Sequence, residues 1–367
     1  MSLQEEIDRQ RGEIRTDGYS VSIGEWISIY EKKELDIHPE FQRFFRWTDR
    51  QKSRLIESIL LGIPIPQIFV AQRPDGVWDV VDGVQRLSTI FQFVGVLCDE
   101  DGRLVTPLTL EATDYLPSMS AMRWEDIERP DRSLTPAQRL IIKRSKIDVS
   151  IILKESDEAS KYELFQRLNS GGSQLSDQEL RNSIIVMLNK DFYRWMKELS
   201  DDSNFLECVA LSDRSQDEQY GMELVLRFLS LRTLTETELS NVGDMGEFLT
   251  QRAITLARNK SLDIVGEQKA FRVTFAVLKE CLGSDSFRRY EKNRDRFLGG
   301  FSVSAYEAIS LGVGYNIAKL EGDSSKVVAV AKALWSDATF LGNSGSGVRA
   351  STRVPRIVPL GRQLFAQ

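Results

Sequence analysis

The chain has 367 residues, of which 41% are hydrophobic and 28% charged, a composition typical of a globular protein with room for two domains. No apolar run reaches the roughly 20 residues that span a bilayer, and the polar residues 1–18 predict an exposed lead-in helix rather than a secretory signal, so we expect a cytosolic protein. A net charge of −6 gives no global field that attracts polyanions. His38 is the only histidine, which all but excludes an HNH nuclease or a His-rich zinc hydrolase.

Short strands and helices alternate in the first half of the chain. A strand-like alternation at Tyr19–Ile23 precedes a small helix over Gly24–Lys33. The next helix is predicted to run from an N-cap at Thr48 to a stop at Gly62. This order of elements favours a mixed fold.

Two further strands lie next along the chain. They are predicted at Gln67–Gln72 and Val77–Val81, joined by a turn that contains Pro and Gly. The second strand runs directly into Asp82 and Gly83, and a helix follows. A later strand is predicted at Ile147–Leu153.

From about residue 186 the predicted segments are all helical. They cover residues 188–199, 217–234, 246–260, 265–282, 302–318 and 324–336. This change of class near residue 185 divides the chain into a mixed domain, residues 19–185, and an all-α domain, residues 186–367.

The turn from Val81 to Arg86 carries the clearest chemical signal. A strand that ends where a helix begins leaves backbone N–H groups free to bind an anion, and the helix dipole strengthens that site. Gly83 permits close approach or a positive φ. Asp82 suits a metal ion or a ribose hydroxyl, Gln85 suits a water or phosphate, and Arg86 suits phosphate oxygens. The alternative is a helix start with a salt-bridged arginine and no ligand.

A second polar and aromatic cluster lies upstream. It consists of Phe41, Gln42, Arg43, Arg46 and Trp47. Arginine together with aromatic side chains can stack a base or bind phosphate. A surface loop with a buried tryptophan explains the same residues.

The third cluster follows the last strand of the mixed domain. In the segment Phe165–Asn169 and just before it, Glu163, Gln166 and Asn169 lie three residues apart and share one helix flank. Such a flank suits a metal–triphosphate. A solvated helix face that ends with Asn169 as a C-cap is the alternative.

Two basic segments occur in the second half. Residues 347–362 form a predicted basic tail that suits a nucleic-acid backbone or an acidic partner, or is merely solvated. Its arginines are Arg349, Arg353, Arg356 and Arg362. Residues 288–296 are also basic, but two acidic residues dilute them, and we interpret them as a helix surface.

Together, these segments resemble the N-terminal domain of the GmrSD type IV restriction proteins, long catalogued as domain of unknown function 262. The Asp-Gly-Gln-Gln-Arg motif of that family corresponds to Asp82–Arg86, with Val84 in place of the first Gln. Its Phe-x-x-x-Asn motif corresponds to Phe165–Asn169. The resemblance covers roughly residues 20–185.

The resemblance implies an α+β fold: a ParB/sulfiredoxin-like domain with a small mixed sheet and helices, followed by the all-α domain. It also implies a nucleoside triphosphate and Mg²⁺ as cofactors. Asp82, Glu163 and Asn169 would then support Mg²⁺, and Gln85 would place the attacking water. The implied nucleotide-binding residues are Gln42, Arg43, Gly83, Arg86, Gln166 and Asn169.

The implied role is control of DNA recognition or cleavage in an anti-phage restriction system. Because this chain lacks the histidines of the HNH module, we expect a stand-alone member that acts on modified phage DNA with a separate nuclease subunit. Val84 removes one polar group from the family motif, which weakens the case for hydrolysis. A non-catalytic nucleotide-sensing or DNA-binding module is therefore the alternative.

Overall fold

The computed structural model describes residues 2–5, 15–37, 47–99, 101–154, 176–320, 324–345 and 347–366. Residue contacts divide the chain into two compact units, Met1–Gln174 and Leu175–Gln367. The boundary predicted near residue 185 falls within the helix Asp177–Leu188. None of the helices in the described ranges combines the length and the apolar character needed to cross a membrane.

The first unit is built on a five-stranded mixed sheet. Its strands are β1 Thr16–Ser22, β2 Leu35–Asp36, β3 Ile68–Gln72, β4 Trp78–Asp82 and β5 Lys146–Ile152. The order across the sheet is β1-β5-β3-β4-β2. Strands β1 and β5 are antiparallel, as are β3 and β4, whereas β3 pairs with β5 and β2 with β4 in parallel. The predicted mixed α/β character is confirmed.

Four helices accompany this sheet among the described residues. They are α1 Ile23–Glu31, α2 Asp49–Leu61, α3 Val84–Val94 and α4 Pro136–Arg144. Helix α2 has the predicted capping box at Thr48 and ends at Gly62 in the left-handed region. Trp26, Ile56 and Phe91, one from each of the first three helices, are fully buried in one core with the sheet. The apolar faces of these helices therefore pack on the sheet in one core.

An ion trio fixes the β3–β4 hairpin that leads to α3. Arg73, after β3, donates from Nε to Asp79 Oδ2 at 2.7 Å and from Nη2 to Asp36 Oδ2 at 2.7 Å. Asp36 and Asp79 are paired neighbours on the parallel strands β2 and β4. Burial by itself lowers the pKa of Arg73, but the hydrogen bonds to Asp79 and Asp36 outweigh it and raise the pKa. Arg73 therefore joins three strands as a permanent cation.

The second unit is mainly helical. Its helices are α5 Asp177–Leu188, α6 Lys190–Ser200, α7 Ser203–Val209, α8 Asp213–Asp217, α9 Tyr220–Leu231, α10 Glu236–Ser240, α11 Met245–Arg258, α12 Ile264–Leu282, α13 Val303–Tyr315, α14 Ile317–Leu320, α15 Ser324–Leu334, α16 Ala338–Asn343 and α17 Ala350–Ala366. Every helical segment predicted from the sequence has a counterpart here. Ser176 caps α5 as the Ser-Asp-Gln-Glu pattern predicts.

The prediction of an all-α second half is wrong at one place. Residues interpreted as a helix surface form an antiparallel hairpin of β6 Arg289–Glu291 and β7 Arg296–Leu298. Tyr290 and Phe297 pair across the strands with ring centroids 5.2 Å apart. Asp295 adopts a left-handed φ of 45° in the connecting turn. This cross-strand pair and the turn residue favour a hairpin over a helix.

The prediction of a basic tail at residues 347–362 is also wrong, because most of this segment belongs to α17. Val354, Ile357, Val358 and Phe365 are buried at helical spacing on one face. Helix α17 packs closely on α13, where a Cβ on Gly361 would lie 2.1 Å from the carbonyl oxygen of Ala308. Because arginines lie between these apolar residues, the sequence analysis did not recognise the amphipathic pattern of α17.

A buried ion network links α9, α13 and α17. Glu307 is 0% exposed and accepts hydrogen bonds from Arg227 Nη1 at 2.8 Å and from Arg353 Nε at 2.7 Å. Arg227 also donates to Glu223, which accepts from Arg181 on α5. A fully buried carboxylate is tolerated only when it is paired and hydrogen-bonded. Glu307 therefore depends on both arginines, and they depend on it.

Replacing Glu307 by Gln keeps the side-chain shape but leaves Arg227 and Arg353 without their shared charge. We expect the free energy of unfolding to fall by about 3–5 kcal/mol. Urea unfolding followed by circular dichroism measures the loss. Glu198→Gln, at an exposed position on α6, is the matched control and should change stability by less than about 0.5 kcal/mol. Equal stability of the two variants would contradict the account.

The contact at Gly361 gives a second prediction. Gly361→Ala forces α13 and α17 apart and should cost about 1–3 kcal/mol or more through overpacking. Gly342→Ala, in α16, meets no atom within 4 Å and should stabilise the chain by about 0.5–1 kcal/mol. Thermal unfolding of the two variants compares them directly. A melting temperature for Gly361→Ala at or above that of the unsubstituted chain would refute close helix packing.

Candidate functional site

The predicted turn lies at the junction of β4 and α3. Strand β4 ends at Asp82, and Gly83 occupies the N-cap position with φ 99° and ψ 10°. A Cβ at Gly83 would lie 2.3 Å from Cδ1 of Ile68 on the neighbouring strand. No side chain caps the first turn of α3. The first backbone N–H groups of α3 therefore lie at the positive end of the helix dipole, and no side chain of the helix cap accepts their hydrogen bonds. An anion that binds at a helix N-terminus needs both conditions.

Arg86 is held inside this junction. Its Nη1 donates to the carbonyl oxygen of Pro66 at 2.7 Å, and its Nη2 donates to Asp82 Oδ2 at 2.6 Å. The Arg86 side chain is 11% exposed and that of Asp82 is 37% exposed. The salt-bridged arginine, one of the two interpretations of the sequence, is thus present. It also anchors the backbone that precedes β3, so that the guanidinium stands at a fixed position beside the helix start.

Gln85 connects the motif to the upstream polar cluster. Its Oε1 accepts a hydrogen bond from the Trp47 backbone N–H at 3.3 Å. Trp47 is the last residue of that cluster and is followed by Thr48, the N-cap of α2. Gln42 and Arg43 lie outside the described residues, as does Arg46. The chain that leads out of the predicted phosphate-binding cluster therefore meets the motif at Gln85.

Val84 faces the interior. It is 8% exposed and belongs to the hydrophobic core of the first unit. At this position in the first turn of α3, the side chain therefore packs into the core. The departure from the family motif at this position therefore does not remove a polar group from the exposed surface of the junction.

Ser88 is a candidate that the sequence reasoning missed. It is 8% exposed, and its Oγ has no hydrogen-bond partner among the described residues. It follows Gln85 by three residues and so shares a helix flank with it. The signal in the sequence was a small hydroxyl among the apolar residues of α3. A buried hydroxyl without a partner is energetically costly, and nothing else in the described residues accounts for it.

The structure brings Asp82, Gly83, Gln85 and Arg86 together at one junction. Glu163, Gln166 and Asn169 lie outside the described residues, so their predicted places in the site stay predictions. Within the part of the chain that the structure describes, no three His, Cys, Asp or Glu side chains form a metal-binding cluster. Asp82 is the predicted Mg²⁺ ligand that the structure does describe.

The four C-terminal arginines separate into two kinds. Arg353 pairs with Glu307, and Arg362 donates to the carbonyl oxygens of Leu231 and Leu234 at 2.9 and 2.6 Å. Partial burial also lowers the pKa of Arg362. Arg349 and Arg356 are exposed. The structure thus uses two of these predicted nucleic-acid contacts to hold helices together, and a nucleic-acid role for the set stays a prediction.

The packing at Gly83 can be tested against a matched control. Gly76 in the β3–β4 turn also has a positive φ, of 91°, but no atom lies within 4 Å of the position of a Cβ there. Gly83→Ala should destabilise the chain by about 2–4 kcal/mol, through left-handed strain and the contact with Ile68. Gly76→Ala should cost only the strain, about 1–2 kcal/mol. Urea unfolding gives both values, and an equal cost would show that the Gly83 junction is not closely packed.

Comparison with known proteins bears on this first unit. Residues 23–186 match the family model described as the GmrSD restriction endonuclease, N-terminal domain. No curated protein and no solved structure shows a significant match to the chain. The matched range includes the β4–α3 junction and the motif Asp82–Arg86. The match assigns residues 23–186, which cover most of the first unit and the greater part of α5, to the GmrSD N-terminal domain family, and this family suggests involvement in a restriction system.

Proposed function

We propose that the first unit binds a nucleoside triphosphate with Mg²⁺ at the start of α3 and thereby regulates DNA recognition in a restriction system. The observation that carries the proposal is the uncapped helix start at Gly83, flanked by the Asp82–Arg86 ion pair. Free N–H groups at a helix N-terminus donate to phosphate oxygens without desolvating a side-chain cation. Gly83 sets the backbone conformation from which α3 begins.

Each polar side chain of the proposed site would have a separate role in phosphoryl transfer. In the proposed site, Mg²⁺ would neutralise phosphate charge, held by Asp82 with Glu163 and Asn169. Gln85 would orient the attacking water, and Arg86 and Arg43 would stabilise charge on the transferred group. Gln42 and Gln166 would complete the contacts to the nucleotide. Because Arg86 already binds Pro66 and Asp82, its guanidinium is positioned before the ligand arrives.

We further propose that the first unit is ParB/sulfiredoxin-like. The small mixed sheet supports this, as does α3, which starts directly after Gly83 at the end of β4. On this proposal a separate nuclease subunit cuts the DNA, because the chain has a single histidine.

Nucleotide sensing without hydrolysis is the second candidate, and one contact favours it. Asp82 accepts a hydrogen bond from Arg86 at 2.6 Å, so a metal ion must compete with that pair for the carboxylate. A site in which this pair persists binds phosphate through N–H groups and lacks a well-held Mg²⁺. Such a site senses the nucleotide and leaves it intact.

Adding each NTP with Mg²⁺ should raise the melting temperature of the full chain for at least one nucleotide. Ligand at 100 times its Kd stabilises a protein by about 2.7 kcal/mol. Asp82→Asn should weaken binding at least about tenfold, which corresponds to losing roughly 1.4 kcal/mol of binding free energy. Asp75→Asn removes the same charge near the other end of β4 and should leave binding unchanged.

Phosphate release, measured on the same samples, separates the two candidates. Turnover that is lost in Asp82→Asn supports hydrolysis, whereas binding without turnover supports sensing. If no NTP shifts the melting temperature of the unsubstituted chain, both are refuted. Unfolding without ligand confirms that the variants fold.

A further inference from the structure

The most basic exposed feature of the second unit is the hairpin formed by β6 and β7. We call residues 288–298 the basic hairpin. From residue 288 to residue 296 it carries five basic and two acidic residues, a net charge of +3 in a chain whose total is −6. The basic residues are Arg288, Arg289, Lys292, Arg294 and Arg296. A local positive surface of this kind attracts a polyanion even when the whole protein is acidic.

The strand register gives the hairpin two different faces. Tyr290 pairs with Phe297, so both rings lie on one face. Lys332 of α15 stands over the Tyr290 ring, 5.0 Å from its centroid. Side chains alternate along a strand, so Arg289 and Arg296 lie on the opposite face. Both arginines are exposed.

The two acidic residues of the hairpin already have partners. Asp295 accepts from Lys332 Nζ at 2.7 Å and from the Tyr290 hydroxyl at 2.6 Å. Glu291 pairs with Arg294 at 3.3 Å. Arg289, Lys292 and Arg296 have no ion pair with any residue that the structure describes. The acids therefore secure the turn and its contact with α15, and three exposed cations remain for an external anion.

We propose that the basic hairpin binds the phosphate backbone of duplex DNA, with Arg289, Lys292 and Arg296 as the contacting cations. The major groove of B-form DNA admits a two-stranded β-ribbon, and cations on both strands and at the tip can reach phosphates on both sides of a groove. An acidic protein is a poorer fit, since Leu298, the register partner of Arg289, is the one large apolar side chain on this face of the two strands, and protein interfaces depend on several.

This surface goes beyond the nucleotide site, while the choice of DNA as partner rests on the proposed role in restriction. It also moves the expected DNA contact away from the C-terminal arginines, because Arg353 and Arg362 are used within the fold. Nucleotide binding belongs to the first unit and is measured separately. Failure of one proposal is therefore distinguishable from failure of the other.

The test uses the full chain and a fluorescein-labelled DNA duplex, with binding followed by anisotropy over a range of salt concentrations. One variant combines Arg289→Gln, Lys292→Gln and Arg296→Gln. The matched control combines Lys260→Gln, Lys269→Gln and Arg194→Gln, three exposed positions of the same unit. A third variant, Arg289→Lys with Arg296→Lys, keeps the charge. Thermal unfolding and the NTP-induced shift are recorded for all of them.

We expect the hairpin variant to bind DNA at least about tenfold more weakly, with the slope of log Kd against log salt reduced by about 2 to 3, close to one per lost phosphate contact. The control and charge-retaining variants should bind like the unsubstituted chain. Unchanged binding in the hairpin variant, or an equal loss in the control, overturns the proposal. So does binding of poly-glutamate but not DNA, which would identify an acidic protein as the partner.

Discussion

The junction between β4 and α3 is the constraint on which the first unit depends. Strand β4 passes into α3 through a single residue, Gly83, whose φ of 99° lies in the region that favours glycine. The neighbouring strand leaves no room for a side chain there, because Ile68 occupies the place of a Cβ. The same geometry buries Val84 and leaves the first turn of α3 without a side-chain cap. The fold of the first unit and the proposed binding site thus both depend on the backbone conformation of Gly83.

Arg86 illustrates how a side chain can serve both purposes. Its bonds to Pro66 and Asp82 hold the start of β3 against the end of β4. A guanidinium fixed by two partners pays little further entropy when an anion approaches, so preorganisation and stability favour the same rotamer. The Arg73 trio at the other end of the hairpin plays the purely structural part, since both its carboxylates are engaged.

In the second unit, burial determines which arginines are paired with a carboxylate. Arginines that reach the interior, such as Arg227 and Arg353, are matched with Glu307, because an unpaired buried charge would cost several kcal/mol, roughly 3–5 when one partner of a pair is removed. Arginines on the basic hairpin stay in water, where no such pairing is required. A buried arginine of this unit therefore stabilises the fold, whereas an arginine of the basic hairpin remains in water. The sequence alone does not distinguish the two.

The sequence by itself determined the local features of the fold. The capping boxes at Thr48 and Ser176, the stop at Gly62 and the strand that ends at Asp82 were all predictable, because each depends on hydrogen bonds and backbone preferences within a few residues. The family motif likewise identified the β4–α3 junction. Only the tertiary structure decided which side chains near that junction face inward, as Val84 and Ser88 show.

Tertiary structure also determined the conformation of the two basic segments, residues 288–296 and 347–362. Apolar residues such as Val354 and Phe365 form a helix face only once α13 offers a surface to cover, and the close approach at Gly361 makes that packing possible. The hairpin at β6 and β7 required Tyr290 to meet Phe297 across two short strands and Lys332 from a distant helix. Local sequence cannot determine such contacts, because their free energy arises from partners far apart in the chain.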